Sequence, residues 1–332
     1  MIEWSESESM PHTKDRRTTI MHYQELHHIV ENMEKAIFGK RQTIEFLLMA
    51  LLCQGHVLIE DVPGVGKTSM VAALAKSVDC SFKRIQFTPD LMPSDITGFS
   101  IYNQKTGDFD FRMGQVSASF VLADEINRAS PKTQSALLEA MEEAQVTVDG
   151  VTHKLPEPFM VLATQNPIEY VGTYPLPEAQ IDRFLMCISM GYPEKAEEAA
   201  ILKNYQGTNP LKALQAVVNG AAITALQAKV NEIFVDDLVH QYIVDLATYT
   251  RNHAAAALGV SPRGSLSLCR AAQACALYNN RSYVLPDDIK LLAVPVLAHR
   301  VILKQEARLG DITAQAIVEE ALTRVAAPIA KL

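Results

Sequence analysis

Four residues able to handle a polyphosphate stand together about one fifth of the way along the chain: Gly64, Gly66, Lys67 and Thr68. They lie in the run Glu60-Asp61-Val62-Pro63-Gly64-Val65-Gly66-Lys67-Thr68. Glycines let main-chain amides turn inward around an anion, an ammonium neutralises phosphate charge, and a hydroxyl ligates a hard cation. Val57, Leu58 and Ile59 precede the run as a buried strand. Val71, Leu74, Ala75 and Val78 follow at helical spacing. Strand, loop and helix in that order are what a phosphate-binding loop requires, because the helix N-terminus adds partial positive charge. On this reading Pro63, Gly64, Val65, Gly66, Lys67, Thr68 and Ser69 cradle the phosphates of a nucleotide. Lys67 serves the β- and γ-phosphates and Thr68 serves magnesium. The usual pattern, G-x-x-x-x-G-K-S/T, has a glycine where this chain has Asp61; that position shapes the start of the loop and is not a phosphate ligand.

A second group follows an apolar strand, Phe120-Val121-Leu122-Ala123, and consists of Asp124 and Glu125. Asp124 can hold magnesium, directly or through water, and Glu125 can polarise an attacking water. Carboxylates at the carboxyl end of a strand sit where α/β sheets bind ligands. The third group is Ala163-Thr164-Gln165-Asn166-Pro167, where Asn166 can position that water. Two arginines stand elsewhere. Arg183 follows Asp182 ahead of the last apolar run. Arg263 lies in Ser261-Pro262-Arg263-Gly264, where Ser261 can cap a helix and Pro262 can take its first position. By residue mechanics alone, each arginine reads as a surface salt bridge.

The elements that must position these residues are legible as patterns. Apolar runs at His56–Glu60, Phe82–Phe87, Phe120–Ala123, Phe159–Ala163 and Phe184–Met190 alternate with helical stretches before His56, after Gly66 and over Lys132–Ala144. This predicts a parallel five-stranded sheet covered on both faces. Phe99–Phe111, about Thr106-Gly107, and Gln145–Leu155, about Asp149-Gly150, read as inserted antiparallel hairpins. After Pro193 the apolar residues recur at helical spacing. The expected organisation is a polar, mobile tail over residues 1–20, an αβα nucleotide-binding domain over 21–192 and a helical lid domain over 193–332. Ala254–Ala257 reads as a close-packed helix end.

The 332 residues carry a formal net charge of −8 and 48% hydrophobic residues. That composition suits a soluble protein with a large core, and its acidity argues against broad binding to nucleic acid or anionic membrane. Met1–Thr19 lacks the apolar core of a secretory signal, and Phe46–Cys53 is too short to span a bilayer. The five cysteines form no C-x-x-C pair and read as buried, reduced thiols. A cytoplasmic protein without a membrane span is expected.

In this order the motifs resemble those of AAA+ ATPases, and most closely the MoxR family. The resemblance covers nearly the whole chain after residue 21. It is carried by the phosphate loop, Thr88-Pro89-Asp90-Leu91-Met92-Pro93-Ser94-Asp95, Asp124-Glu125-Ile126-Asn127-Arg128-Ala129, Leu137-Leu138-Glu139-Ala140-Met141-Glu142-Glu143, Ala163–Pro167, Pro177-Glu178-Ala179-Gln180-Ile181-Asp182-Arg183-Phe184 and Ser261-Pro262-Arg263. The resemblance implies a P-loop NTPase core with a C-terminal helical lid and an ATPase with Glu125 as general base and Asp124 on magnesium. Asn166 would be sensor 1, Arg183 an arginine finger acting on a neighbour's ATP, and Arg263 sensor 2, touching nucleotide. Ile37-Phe38-Gly39 would lie near the adenine, both hairpins would face the pore of a ring, expected to be a hexamer, and Arg128 would sit near the subunit interface. Leu285 stands where a capping Thr is common before Pro286-Asp287-Asp288. The implied work is remodelling or maturation of client proteins, with a possible von Willebrand A domain partner. The alternatives are a nucleic-acid motor or restriction-type GTPase on a related core, against which the lack of a basic tract counts, and a scaffold that binds ATP without turnover.

Overall fold

The computed structural model describes residues 13–166, 172–204, 210–310 and 312–328. The first half runs α1 (Thr13–Glu34), α2 (Arg41–Leu52), β1 (Val57–Glu60), α3 (Lys67–Ser77), β2 (Phe82–Gln86), α4 (Pro93–Thr97), β3 (Gly98–Tyr102), β4 (Phe109–Met113), β5 (Phe120–Asp124), α5 (Pro131–Glu143), β6 (Gln145–Val148), β7 (Val151–Lys154), β8 (Met160–Gln165), α6 (Glu178–Ile181) and β9 (Met186–Ile188). The second half runs α7 (Lys195–Asn204), α8 (Pro210–Ala213), α9 (Gly220–Val230), α10 (Asp237–Asn252), β10 (Ala256–Leu258), α11 (Pro262–Tyr278), α12 (Pro286–Leu297), β11 (Ile302–Leu303), α13 (Gln305–Leu309) and α14 (Ala314–Arg324).

The five apolar runs are the five strands of one parallel sheet, ordered β2-β5-β8-β1-β9. Residues of a strand point alternately to the two faces, which explains why the runs of the interior strands β5, β8 and β1 are apolar. Val57, Ile59, Phe120, Leu122, Met160 and Leu162 enter one core with α2 and α3. Leu58, Val121, Ala123, Val161 and Ala163 enter a second core with Leu137, Leu138 and Met141 of α5. The first core continues without a break into α9, α10, α11, α12 and α14, so the helices after Pro193 share the buried apolar surface of the sheet domain. The two antiparallel ribbons are present as β3-β4 and β6-β7, outside the main sheet.

Three expectations change. The Phe82–Phe87 run is not buried on both faces: β2 is an edge strand, and Lys83, Arg84 and Gln86 are exposed while Ile85 is buried. An edge strand has one flank open, so long polar side chains are tolerated there. Ala254–Ala257 is not a helix end: α10 stops at Asn252, and Ala256–Leu258 pairs with Ile302–Leu303 as a short antiparallel ribbon. Of the tail expected over residues 1–20, residues 1–12 lie outside the described residues, and α1 begins at Thr13. Among the described residues no helix is long and apolar enough to cross a membrane. All five cysteines are free; Cys53 and Cys275 are buried, and the other three are partly so.

Candidate active site

The phosphate loop leaves β1 at Glu60 and enters α3 at Lys67. Gly64 and Gly66 have φ of +89° and +94°, with open space where a Cβ would stand. Conformation, not crowding, is what demands glycine at both. Lys67 lies folded over the loop, its Nζ donating to the carbonyls of Asp61 at 2.9 Å and Val62 at 3.3 Å.

The structure gives Asp61 a role that its departure from the usual pattern did not reveal. Its carboxylate is buried and accepts hydrogen bonds from Ser189 Oγ at 2.9 Å, Gly191 N at 3.1 Å and the amide of Met190. The start of the loop is thereby pinned to the segment following β9. Charge-assisted bonds of this kind are the strong ones.

Asp124 ends β5 and Glu125 follows it at the start of a short turn. Thr164 of β8 joins them: its hydroxyl donates to Asp124 Oδ1 at 2.6 Å and accepts from the Glu125 amide at 2.9 Å. Glu125 sits in the left-handed region, at φ 57° and ψ 50°, which costs a residue with a Cβ on the order of 1 kcal/mol. Its Oε2 accepts from Gln86 Nε2 at 2.9 Å and pairs with Arg128 Nη1 at 3.2 Å. The other oxygen of Asp124 is held by Arg84, whose Nη2 and Nε donate at 2.6 and 3.0 Å. Neither Arg84 nor Gln86 was singled out from the sequence. The signal was the three polar residues in Phe82-Lys83-Arg84-Ile85-Gln86, too many for a strand buried on both faces.

These groups border one cavity of about 330 Å³, lined by Pro63, Gly64, Gly66, Lys67, Thr68, Ser69, Arg84, Asp124, Glu125, Thr164 and Asn166. Asn166 is thus brought to the loop; Pro167 lies outside the described residues. The Thr68 hydroxyl and the Asp124 carboxylate are hard oxygen donors on one cavity, which suits a cation that takes few protein ligands and fills its shell with water and phosphate oxygens. A second cavity, of about 510 Å³, shares Gly64, Gly66 and Ser69 with the first and is lined by Ile37, Phe38, Val65, Met190, Ile201 and Leu202. It is apolar and adjoins the loop, as a planar base would need. Gly39 passes so close to Glu197 that a Cβ there would meet its carboxylate at 1.7 Å.

Arg183 and Arg263 are not at this site. Both bind Glu142 of α5: Arg183 Nη2 lies 3.1 Å from Oε2 and Arg263 Nη2 lies 3.0 Å from Oε1. With Arg270 they line a separate cavity of about 370 Å³ that includes His56. His56 precedes β1 and the phosphate loop follows it, so the two cavities lie at opposite ends of the sheet. Four strand residues separate them by roughly 13 Å or more. The reason Arg263 is held there is local. Ser261 caps α11 through Gly264 N at 3.2 Å, and its hydroxyl also donates to Asp182 at 3.0 Å. The first turn of α11 is therefore docked beside Arg183.

Comparison with known proteins agrees with this architecture. Residues 56–186 match the "ATPase family associated with various cellular activities (AAA)", and residues 248–321 match the "AAA lid domain". The chain is 55% identical over 300 residues to the uncharacterized protein YeaC of Bacillus subtilis, covering 90% of this chain and 94% of that protein. It is 43% identical over 315 residues to the chaperone MoxR1 of Mycobacterium tuberculosis, covering 90% of this chain and 83% of that protein. A crystal structure of a candidate ATPase from Cytophaga hutchinsonii superposes with a TM-score of 0.89 at 40% identity, covering 95% of this chain and 98% of that one.

Proposed function

The chain belongs to the MoxR family of AAA+ ATPases, and from that premise we propose that it hydrolyses ATP with magnesium and couples the reaction to remodelling or maturation of partner proteins. The observation that carries the reading is the single cavity onto which Lys67, Thr68, Asp124, Glu125 and Asn166 all open.

Phosphoryl transfer to water is chiefly positioning and charge neutralisation. The loop amides and Lys67 receive the β- and γ-phosphates, which requires Lys67 to exchange its carbonyl partners at Asp61 and Val62 for phosphate oxygens. Thr68 and Asp124 would hold magnesium, which would supply positive charge against the phosphates. Glu125 is the general base, taking a proton from the attacking water. Gln86, Arg128 and the Thr164 hydroxyl orient it until then. Asn166 positions that water, and Ile37 and Phe38 cover the adenine.

Arg183 and Arg263 complete the site of a neighbouring subunit in a ring, taken as a hexamer. Support for this comes from their shared position at the far end of the sheet, on Glu142. It changes the role expected of Arg263, which serves a neighbour's nucleotide instead of its own. The β3-β4 and β6-β7 ribbons, joined by Phe111 stacked on His153 at 3.8 Å, form the surface offered to a client. Phe99, Tyr102 and Phe109 are exposed there. Assembly and cofactor insertion with a von Willebrand A domain partner is the specific form of client work inferred.

ATP turnover by purified protein across a concentration series tests the reading. The rate per subunit should rise steeply as rings assemble and vanish in Lys67→Ala. A rate at background in assembled rings would end the claim of an enzyme.

A further inference from the structure

Among the described residues Arg84 is the arginine that lines the phosphate-loop cavity, and no step of the proposed hydrolysis uses it. It rests on that reading that Asp124 serves a cation. Arg84 occupies the edge strand β2, where Gln86 lies in register with Asp124 of β5. Residues i and i+2 of a strand share a face, so Arg84 extends along the face that carries Gln86. Its Nη2 and Nε both reach Oδ2 of Asp124, and Nη2 also donates to Gln86 Oε1 at 2.7 Å. With Thr164 on Oδ1, both carboxylate oxygens are engaged, one of them by a full positive charge.

A divalent cation and a guanidinium on the same carboxylate oxygen repel strongly. One must leave, and the mobile partner is Arg84, whose side chain is 48% exposed while that of Asp124 is 14% exposed. A guanidinium released from Asp124 remains inside the cavity that Lys67 and Thr68 line. The strongest acceptor then within reach is the terminal phosphate of a triphosphate, which a planar fork of donors binds bidentately.

We propose that Arg84 is an exchangeable counter-charge: it neutralises Asp124 while no cation is bound, and it moves to the γ-phosphate when magnesium and ATP arrive. In this way one side chain keeps the acidic cavity receptive to an anion and makes the bound state distinguish a triphosphate from a diphosphate.

The test measures ATP and ADP dissociation constants of full-length protein by calorimetry, in magnesium and in chelator, for the wild type, Arg84→Ala and Arg84→Lys. With magnesium, Arg84→Ala should weaken ATP about tenfold and change ADP less than twofold. That is roughly 1.4 kcal/mol for one lost contact to the terminal phosphate. The factor by which magnesium tightens ATP binding should fall severalfold in Arg84→Ala, because the contact to the terminal phosphate forms only once magnesium has released the guanidinium from Asp124. Arg84→Lys keeps the charge and should recover at least threefold of the ATP preference. Equal losses for ATP and ADP, or an unchanged gain from magnesium, would overturn the proposal. A wild type that binds neither nucleotide would instead sink the ATPase reading, so the two failures are distinct.

Discussion

Asp182 and Arg300 are joined at 2.7 Å across the contact between the sheet and the lid, with the Arg300 side chain only 2% exposed. The guanidinium also donates to the carbonyls of Phe184 at 2.6 Å and Leu185 at 3.2 Å, and to that of Val296. The second oxygen of Asp182 takes the Ser261 hydroxyl. One ion pair thus fixes the backbone beside Arg183 and the first turn of the helix that carries Arg263.

Arg300→Met should therefore be costly. It removes the partner of Asp182 and strips donors from several buried carbonyls, so a loss of about 3 kcal/mol or more is expected. Urea unfolding compared with wild type measures it. A midpoint within error of wild type would show that the pair is dispensable.

Glu125→Gln should retain ATP binding and lower kcat by about 10²-fold or more, since only the proton acceptor is lost. Calorimetry and single-turnover hydrolysis on the same sample separate the two effects. Normal turnover would remove Glu125 from the role of base.

Mixing Arg183→Ala subunits with Glu125→Gln subunits should restore part of the activity that neither has alone, because an intact base and an intact arginine can meet across an interface. An arginine acting in trans can be worth about 10³-fold. Flat activity at every mixing ratio argues that Arg183 acts elsewhere. Arg263→Ala in place of Arg183→Ala tests in the same way whether Arg263 also serves a neighbour.

Asp61→Gly restores the glycine usual at the head of the loop yet should harm the protein. It deletes acceptors for Ser189, Met190 and Gly191, at a cost of about 2 kcal/mol in stability. Thermal unfolding should show a lower midpoint, and ATP should bind more weakly. Improved stability would mean the three bonds contribute nothing.

Stability should fall as the pH drops from about 6.5 toward 4. Burial pulls the pKa of His56 down to about 4. Val161 N donates to its Nδ1 at 2.9 Å, which leaves no room for a second ring proton. The unfolded chain takes up a proton near 6.5, so it binds more protons than the fold throughout this window. The folded state loses ~1.4 kcal/mol for each pH unit. His299, pulled down to about 3 by burial, adds to the slope. Chemical denaturation at pH 7, 6 and 5 reads it out; a flat profile would mean neither ring is held neutral by the fold.

What could be read from the residues was what neighbours in the chain decide. The loop from Glu60 to Thr68, the acids ending Phe120–Asp124 and the Asp149-Gly150 hairpin each depend on a few consecutive residues, whose glycines, charges and periodicity act over one turn or one strand. The interior strands were legible for the same reason, because burial on both faces leaves an unbroken apolar run, whereas the edge strand β2 mixes Lys83, Arg84 and Gln86 into its run. Tertiary structure alone decided the order β2-β5-β8-β1-β9, and with it the meeting of Arg84 and Asp124, forty positions apart. It also decided that Arg263 lies on Glu142 and not over its own phosphate loop. Where a helix docks is set by the sum of many weak apolar contacts, here a core shared by sheet and lid. No local pattern around Ser261 carries that information, since a capped helix start reads the same wherever the helix is packed.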